Sequence, residues 1–450
     1  MTAPLSKVDD AAALKADILD KVRDYWRIAH RPKPFVPGES RIGYAGRVYD
    51  DREMVNLVDS SLDFWLTSGP YAAEFEHKMK KKFGARRFLL VNSGSSANLL
   101  MLATLCARPL DERLKGKGPG RMVPGDEVIT PAVTFPTTLT PIVQHGLVPV
   151  FVDCEVGTYN IDPKQIEAAV GPRTRAIFVP HTVGNPCDME TIMAVAAKHD
   201  LWVLEDGCDA LGGTYDGKPL GTFGQMSSLS FYPAHHITMG EGGGVVVNDH
   251  RLVRTATSIR DWGRDCWCDP GKNDTCGKRF GWQLGDLPAG YDHKYVYTNL
   301  GYNLKVSDMQ AAVGCAQFDK IEQFVAARRR NFRRYIDGLK RFQDVLTLPI
   351  VDARAEISPF GFPITVADGV DRNALTSHLE LANIETRLVF GGNILKQPGF
   401  QHIERRVFGE LTQTDRIMRD TFFIGVYPGL SDDMVDYVID QIAGFFGRKA

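Results

Sequence analysis

At 450 residues, 44% hydrophobic and 24% charged, the chain can bury a sizeable core in two or three domains, or in one large α/β domain with a companion. Lys+Arg number 53 against 55 Asp+Glu, a formal net charge of -2, which excludes the basic surplus of a nucleic-acid binder. The opening stretch MTAPLSKVDDAAALKADILDKV is charged throughout, unlike a signal peptide, and no apolar run approaches the roughly 18 residues that cross a bilayer. The expectation is a soluble, cytoplasmic protein that partners neither nucleic acid nor membrane.

Residues 1–50 read as an N-terminal arm, with one amphipathic helix from about Ala11 to Ala29 and then the proline-rich RPKPFVPGES. From about residue 85 to 260, short apolar runs alternate with helical patterns. RRFLLVNSG precedes SSANLLMLATLCA, and DEVITPA, PVFVDC and AIFVPHT lead to METIMAVAAKH; LWVLEDG, SSLSFY and GGVVVND follow. Continuous apolar strands separated by helix-length segments signify an α/β fold with a mostly parallel sheet covered on both faces. Such sheets place ligands at the carboxyl ends of their strands. Residues 51–305 therefore read as one large domain, closing with a segment, 261–303, that is rich in Gly, Asp and aromatics and has neither period. A structureless stretch of that length inside an enzyme is usually functional. Helical pattern returns near residue 306. Residues 306–450 read as a smaller α+β domain with GFPITV and ETRLVF as strands.

Three segments suggest a site for a pyridoxal-type cofactor. NSGSSANLL, residues 92–100, follows a strand and opens a helix, where small residues and free N–H groups suit a phosphate, although such turns also serve as plain caps. Asp206, at the end of LWVLEDG, could pair with a protonated ring nitrogen or simply cap the next turn. SSLSFYPAHHITMGEGGG delivers Ser230, Tyr232, His235 and His236 into a turn before a glycine-rich stretch.

Eight cysteines stand at 106, 154, 187, 208, 266, 268, 276 and 315. In a reducing compartment they would not form disulfides, and the tight group Cys266, Cys268 and Cys276 points to metal binding. With Cys208 they make the pattern C-x57-C-x-C-x7-C. Four thiolates can hold a [2Fe–2S] cluster; structural zinc, which usually takes paired CxxC spacing, and unrelated buried thiols are the alternatives. No GxGxxG follows a strand, so a nicotinamide site is not expected in this chain.

Together the three cofactor segments, with HTVGNPCDM and LGYNLKVSDMQAA, resemble the DegT/DnrJ/EryC/StrS family of sugar aminotransferases, from about residue 50 to the C-terminus. The resemblance implies the aspartate-aminotransferase-like fold of pyridoxal-phosphate enzymes (fold type I) and cofactor contacts from Ser93, Gly94, Ser95, Phe135, Asp206, Asp209 and Ser230. Ser95 and Ser230 would touch the phosphate, Asp206 the ring nitrogen and Phe135 the ring face, while Asn303 would be lent across a homodimer interface. One departure is decisive. Family aminotransferases carry a pattern like SFYPTK, whose Lys binds the cofactor covalently; here that residue is His235, which can serve only as an acid or base.

His235 combined with the cysteine pattern resembles the 3-dehydrase branch of the family. That resemblance implies pyridoxamine phosphate held without a covalent link, His235 as catalytic base, and a [2Fe–2S] cluster on Cys208, Cys266, Cys268 and Cys276. The substrate would be a nucleotide-diphospho-4-keto-6-deoxyhexose, with CDP the favoured nucleotide and dTDP the alternative. Electrons would come from a separate NADH-dependent flavin and iron–sulfur reductase. Arg387, in ETRLVF, is a candidate for the diphosphate or sugar, or a solvated strand-end residue.

Overall fold

Runs of apolar residues become strands because both faces of each are covered. In chain order these are β1 (Arg87–Val91), β2 (Glu127–Pro131), β3 (Val148–Val152), β4 (Thr174–Pro180) and β5 (Trp202–Asp206). A small hairpin, β6 (Thr214–Tyr215) and β7 (Lys218–Pro219), precedes β8 (Met226–Ser230) and β9 (Gly243–Val247). Later come β10 (Leu346–Thr347), β11 (Ala355–Glu356), β12 (Gly361–Val366), β13 (Arg406–Val407) and β14 (Thr421–Gly425). These assignments come from a computed structural model that describes residues 8–31, 33–268 and 271–448. The first seven residues of the expected arm, Pro32 of its proline-rich stretch, and Asp269 and Pro270 of the irregular segment lie outside the described residues.

Eight strands form one sheet in the order β1-β9-β8-β5-β4-β2-β3-β13. All neighbours run parallel except β9, which is antiparallel to both β1 and β8. Every residue of β2, β3, β5, β8 and β9 is buried, which explains why the sequence shows continuous apolar runs rather than alternation. Helices Gly94–Cys106 and Pro136–Gln144 pack Leu100, Met101, Leu139 and Ile142 on one face. Helix Met189–His199 packs Met189, Ile192 and Val195 on the other. The mostly parallel α/β architecture is as expected.

The carboxyl ends of β2, β4, β5 and β8 lie together, with the start of β9 and the end of β1 beside them, because Val91 pairs with Gly243 and Ser230 pairs with Gly243. Gly243 is required there: a Cβ would stand 2.3 Å from the Ser93 carbonyl carbon. The turn that opens helix Gly94–Cys106 is thereby pressed against the strand ends.

The C-terminal part holds an antiparallel sheet, β10-β12-β14, packed under helices Ile321–Leu339, Arg372–Leu381 and Asp432–Phe445. Phe332 and Tyr335 meet the Phe362 ring with centroids 5.0 and 5.1 Å apart. β13 crosses back to pair with β3 in the large sheet, and Ile42 of the expected arm joins the C-terminal core. GFPITV is β12 to the residue. ETRLVF is not a strand: Arg387 alone bridges Phe423, and the chain then turns through Phe390 at φ +48°. The strand at that position is instead TFFIG, β14. Segment 261–303 is irregular as expected, with one 3₁₀ turn, His293–Tyr295. Among the described residues no helix is long and apolar enough to cross a membrane.

Candidate active site

A cavity of about 330 Å³ opens at these strand ends, and most of the expected cofactor residues line it: Gly94, Ser95, Phe135, Asp206, Asp209 and Ser230, with His235 and Cys208. Its floor is the Asp206 carboxylate, 6% exposed at the last residue of β5. Asp206 accepts hydrogen bonds from Asn98 Nδ2 (2.8 Å), Thr138 Oγ1 (2.7 Å), Ser228 Oγ (3.3 Å) and the Cys208 amide (3.2 Å). Four donors on one buried carboxylate stabilise its charge and fix its direction. Asn98 and Thr138 were not anticipated from the sequence. Asn98 comes from the first helical turns after NSGSS, Thr138 from the helix after TFP, so each is brought to β5 only by packing.

One wall is the N-terminus of helix Gly94–Cys106, whose first N–H groups have no helical acceptors and so favour an anion. Ser93 caps this helix, its Oγ accepting from the Ser96 amide at 3.0 Å, and is not itself part of the cavity lining. Ser95 Oγ donates to Thr137 Oγ1 at 3.0 Å. A Cβ on Gly94 would stand 2.6 Å from Ser230 Cβ and 3.0 Å from Cys208 Sγ, so only glycine lets helix end, strand end and thiol converge.

The opposite wall is the turn after β8. His235 Nδ1 lies 3.4 Å from Asp209 Oδ1 without the alignment of a hydrogen bond, and Nδ1 and Asp209 Oδ2 are both buried without a partner. The imidazole also sits 5.2 Å from the Phe360 ring, centroid to centroid. His236, its neighbour, points elsewhere: Nε2 donates to the Ser358 carbonyl at 2.9 Å. Burial and the nearby Arg328 charge push His236 well below the usual histidine range, so it is a neutral structural residue. Arg328, fully buried, donates to the carbonyls of His235, Pro359 and Phe360, and burial lowers its guanidinium to about 9. It clamps the turn that carries His235 to the C-terminal part of the chain.

Phe135 and Tyr232 stand half exposed at the mouth. Arg387 also lines the cavity, its guanidinium 4.2 Å from the Tyr44 ring centroid. Asn303 does not reach this cavity: it is exposed and accepts from Lys305 Nζ at 2.7 Å, while its backbone bridges Asp261.

The arrangement suits a flat, phosphorylated, protonated ring. A buried carboxylate faces one end, a helix N-terminus with two hydroxyls faces the other, and unsatisfied imidazole and carboxylate atoms remain at the side. The cysteine quartet behaves differently. Cys208 Sγ packs beside Gly94 and Ser228, and burial next to Asp206 raises it well above the usual thiol range. Cys268 Sγ contacts Thr275 Oγ1 at 3.0 Å, and Cys276 Sγ contacts Asp274 at 3.8 Å. Among the described residues, no three His, Cys, Asp or Glu side chains converge as metal ligands. Within one protomer the four cysteines do not fit one cluster.

Residues 48–443 match the model of the DegT/DnrJ/EryC1/StrS aminotransferase family. The chain is 49% identical over 436 residues to the lipopolysaccharide biosynthesis protein RfbH of Salmonella typhimurium, covering 96% of this chain and 98% of that protein. It is 50% identical over 438 residues to the dTDP-4-dehydro-2,6-dideoxy-D-glucose 3-dehydratase of Saccharopolyspora spinosa, covering 97% and 93%. Among solved structures it resembles the E. coli GDP-4-keto-6-deoxy-D-mannose-3-dehydratase with bound hydrated PLP, at 30% identity and a TM-score of 0.79, over 89% of this chain and 99% of that one. Fold, matched span and relatives agree: the chain belongs to the DegT/DnrJ/EryC1/StrS aminotransferase family.

Proposed function

We propose that the protein removes the C3 hydroxyl of a nucleotide-linked 4-keto-6-deoxyhexose, as a CDP-4-keto-6-deoxyglucose 3-dehydrase of 3,6-dideoxyhexose biosynthesis. The observation that carries this reading is His235. It occupies the turn position where family aminotransferases hold their Lys, with a buried, unpartnered Nδ1 beside Asp209 in a cavity floored by a buried carboxylate. An imidazole cannot anchor the cofactor covalently, which disfavours an aminotransferase. The relatives named as 3-dehydratases support the reaction class.

Pyridoxamine phosphate, when bound, supplies the amine that condenses with the C4 ketone and the electron sink for C3–O cleavage. The protein's part is positioning and proton transfer. Ser95, Ser230 and the helix N-terminus at Gly94 would hold the phosphate, Asp206 would face the ring nitrogen, and Phe135 would cover the ring. His235 would serve as the acid or base beside the cofactor, and Asp209, 3.4 Å from its Nδ1, is the carboxylate placed to pair with the imidazole once it takes up a proton. Arg387, on the cavity wall, meets the sugar diphosphate.

The cysteine pattern assigns Cys208, Cys266, Cys268 and Cys276 to a [2Fe–2S] cluster; the support is their spacing, not their meeting in one protomer. The electrons for C3 reduction come from an NADH-dependent flavin and iron–sulfur reductase. The chain works as a cytoplasmic homodimer, with Asn303 offered to the neighbouring site. A dTDP-sugar substrate is the second reading, favoured by the 50% identity to the dTDP-sugar dehydratase.

The test is His235→Lys supplied with pyridoxal phosphate. Borohydride should trap the cofactor on residue 235, located by peptide mass mapping, and C3 deoxygenation should fall at least about 100-fold, close to 3 kcal/mol. No adduct at 235, or an adduct with undiminished deoxygenation, overturns His235 as the base. Turnover of the CDP and dTDP substrates side by side decides the nucleotide.

A further inference from the structure

The His235–Asp209 pair is held from behind by the C-terminal part of the chain. Helix Ile321–Leu339 lays two successive arginines, Arg328 and Arg329, against residues 356–360, the stretch from the end of β11 to the start of β12. Arg328 donates to the carbonyls of Pro359 and Phe360, each at 3.2 Å, and through Nη2 to the His235 carbonyl at 3.1 Å. Arg329 donates through Nε to the Ile357 carbonyl at 2.7 Å, and through Nη2 to the Glu356 and Gly212 carbonyls, each at 3.3 Å. One arginine therefore ties this stretch to the turn that carries His235. The next ties it to the loop that carries Asp209.

The 356–360 stretch fills the space between those two segments. On one side His236 bonds the Ser358 carbonyl and the His235 ring packs on Phe360. On the other, a Cβ on Gly184 would stand 2.5 Å from the Ser358 carbonyl oxygen and 2.7 Å from that of Asp209, so glycine alone lets the three backbones touch. Arg328 is buried and has no carboxylate at ion-pair distance among the described residues; Asp209 is the negative charge that offsets its burial. A buried cation without a direct partner is costly. Its fork of donors holds three carbonyls at once, which a single ammonium cannot do with the same rigidity. Proton transfer needs that rigidity, because reacting groups must be held to within about 0.5 Å.

We propose that Arg328 and Arg329 are positioning residues for the dehydration, holding the His235 turn and the Asp209 loop in register through the 356–360 stretch. Neither lines the cavity, and each acts through backbone carbonyls. The inference rests on His235 as the acid or base of the proposed reaction. It makes the C-terminal part the support of the reactive pair, whereas the cavity floor and the helix N-terminus belong to the large sheet and its helices. Loss of either arginine loosens the pair and leaves cofactor binding in place.

Three variants test it. Arg328→Lys keeps the charge and loses the fork, Arg329→Gln removes the bonds to Gly212 and Ile357, and Arg330→Gln, on the same helix but beside Asp432, is the control. In variants that fold by circular dichroism, kcat for C3 deoxygenation of the CDP-linked 4-keto-6-deoxyhexose should fall at least about 30-fold for Arg328→Lys and about 10-fold for Arg329→Gln. KM for that substrate and affinity for pyridoxal phosphate should stay within about twofold of the parent, and Arg330→Gln should match the parent throughout. Diethyl pyrocarbonate, which acylates unprotonated imidazole, gives a readout independent of turnover. Peptide mass mapping should show His235 modified at least about threefold faster in both variants, while exposed His250 reacts at the parental rate. If Arg328→Lys does not fold, Arg329→Gln, whose side chain is partly solvated, decides alone. Unchanged kcat in folded variants overturns the inference and leaves the reaction assignment standing. So does a loss of kcat matched by an equal loss of pyridoxal phosphate affinity, which marks a general structural role. A parental enzyme that removes no C3 hydroxyl defeats the reaction assignment, and the inference with it.

Discussion

The carboxyl end of the large sheet and the 261–303 segment carry the two halves of the proposed chemistry, and they are built on opposite terms. At the sheet end, each polar group is fixed by others far away in sequence: Asp206 by Asn98, Thr138 and Ser228, and the His235 turn by Arg328. In the segment, the bonds run mostly to other residues of the same segment, as in Arg279 with Asp292, Cys268 with Thr275 and Asp265 with His293. A cavity fixed by long-range packing is preformed and can position a ring within the tolerance that proton transfer demands. A segment held mainly by its own polar contacts, with many of them solvated, keeps its shape more weakly.

Truncating the same side chain in each region gives the widest separation. Trp202 is fully buried in the large core, with Nε1 donating to the Gly120 carbonyl at 2.8 Å. Trp202→Ala should cost about 4 kcal/mol in denaturant titration through the cavity it leaves. Trp267, 43% exposed and stacked under Arg254, should cost under about 1 kcal/mol when changed to Ala. Comparable losses at both sites would show that the segment belongs to the cooperative core.

Asp206→Ala probes the sheet end alone. It strands four donors and should cost about 3 kcal/mol of stability. Titration with pyridoxal phosphate, followed by absorbance, should show binding weakened at least about 100-fold, the loss of a buried charge partner for the ring nitrogen. Unchanged affinity would mean that the ring lies elsewhere in the cavity.

Cys266→Ser probes the segment alone. Because Cys266 touches none of the residues that line the cavity floor, affinity for pyridoxal phosphate should stay within about twofold of the parent, while iron content and substrate reduction with the reductase are lost. Reduction at the parental rate would remove Cys266 from the cluster.

How much of this was legible in the sequence follows the same division. Strands buried on both faces leave unbroken apolar runs, so β1 to β5, β8, β9 and β12 could be located from LLV, VIT, VFV and their like. ETRLVF carries the same residue types but turns at Phe390, which local composition does not reveal, and TFFIG, thirty residues on, is the strand that pairs with β12 at the edge of the smaller sheet. Asp206, Ser95 and Ser230 were legible because the first and last end strands, and Ser95 opens a helix, at the sheet's carboxyl edge. Their supporting residues were not: Asn98 and Thr138 read as ordinary helix positions, and only the packed sheet turns them toward Asp206. The pair His235-His236 is symmetric as a string. Burial against Arg328 and Ser358 is what separates the structural imidazole from the one that faces the cavity. The cysteine spacing suggests a shared site, but among the described residues no three ligating side chains converge, because spacing carries no information on which side of the sheet each cysteine packs.

The smallest expected effect isolates the segment's local bonding. Arg279 donates to both carboxylate oxygens of Asp292, through Nε at 2.9 Å and through Nη2, and Asp292 caps the His293–Tyr295 turn by accepting from the Lys294 amide. The Arg279 guanidinium holds the Asp292 carboxyl down at about 2. A depressed carboxylate contributes its stabilisation in full above the ordinary Asp range near 4, and loses it as pH falls through about 2. Between pH 5 and 8 the pair is therefore at constant strength, and a comparison made there reads the bond and not its titration. Both partners are solvated, so Arg279→Gln should leave the midpoint of global unfolding unmoved. Affinity for pyridoxal phosphate should not move. Cleavage of the segment by a dilute protease should nonetheless quicken a few-fold, because the turn that Asp292 caps opens more often while the sheet stays folded. High salt should reproduce part of that acceleration in the parent by screening the pair. Faster cleavage accompanied by an equal loss of global stability would tie the segment to the sheet after all, and the contrast between a preformed cavity and a loosely held cysteine loop would fail.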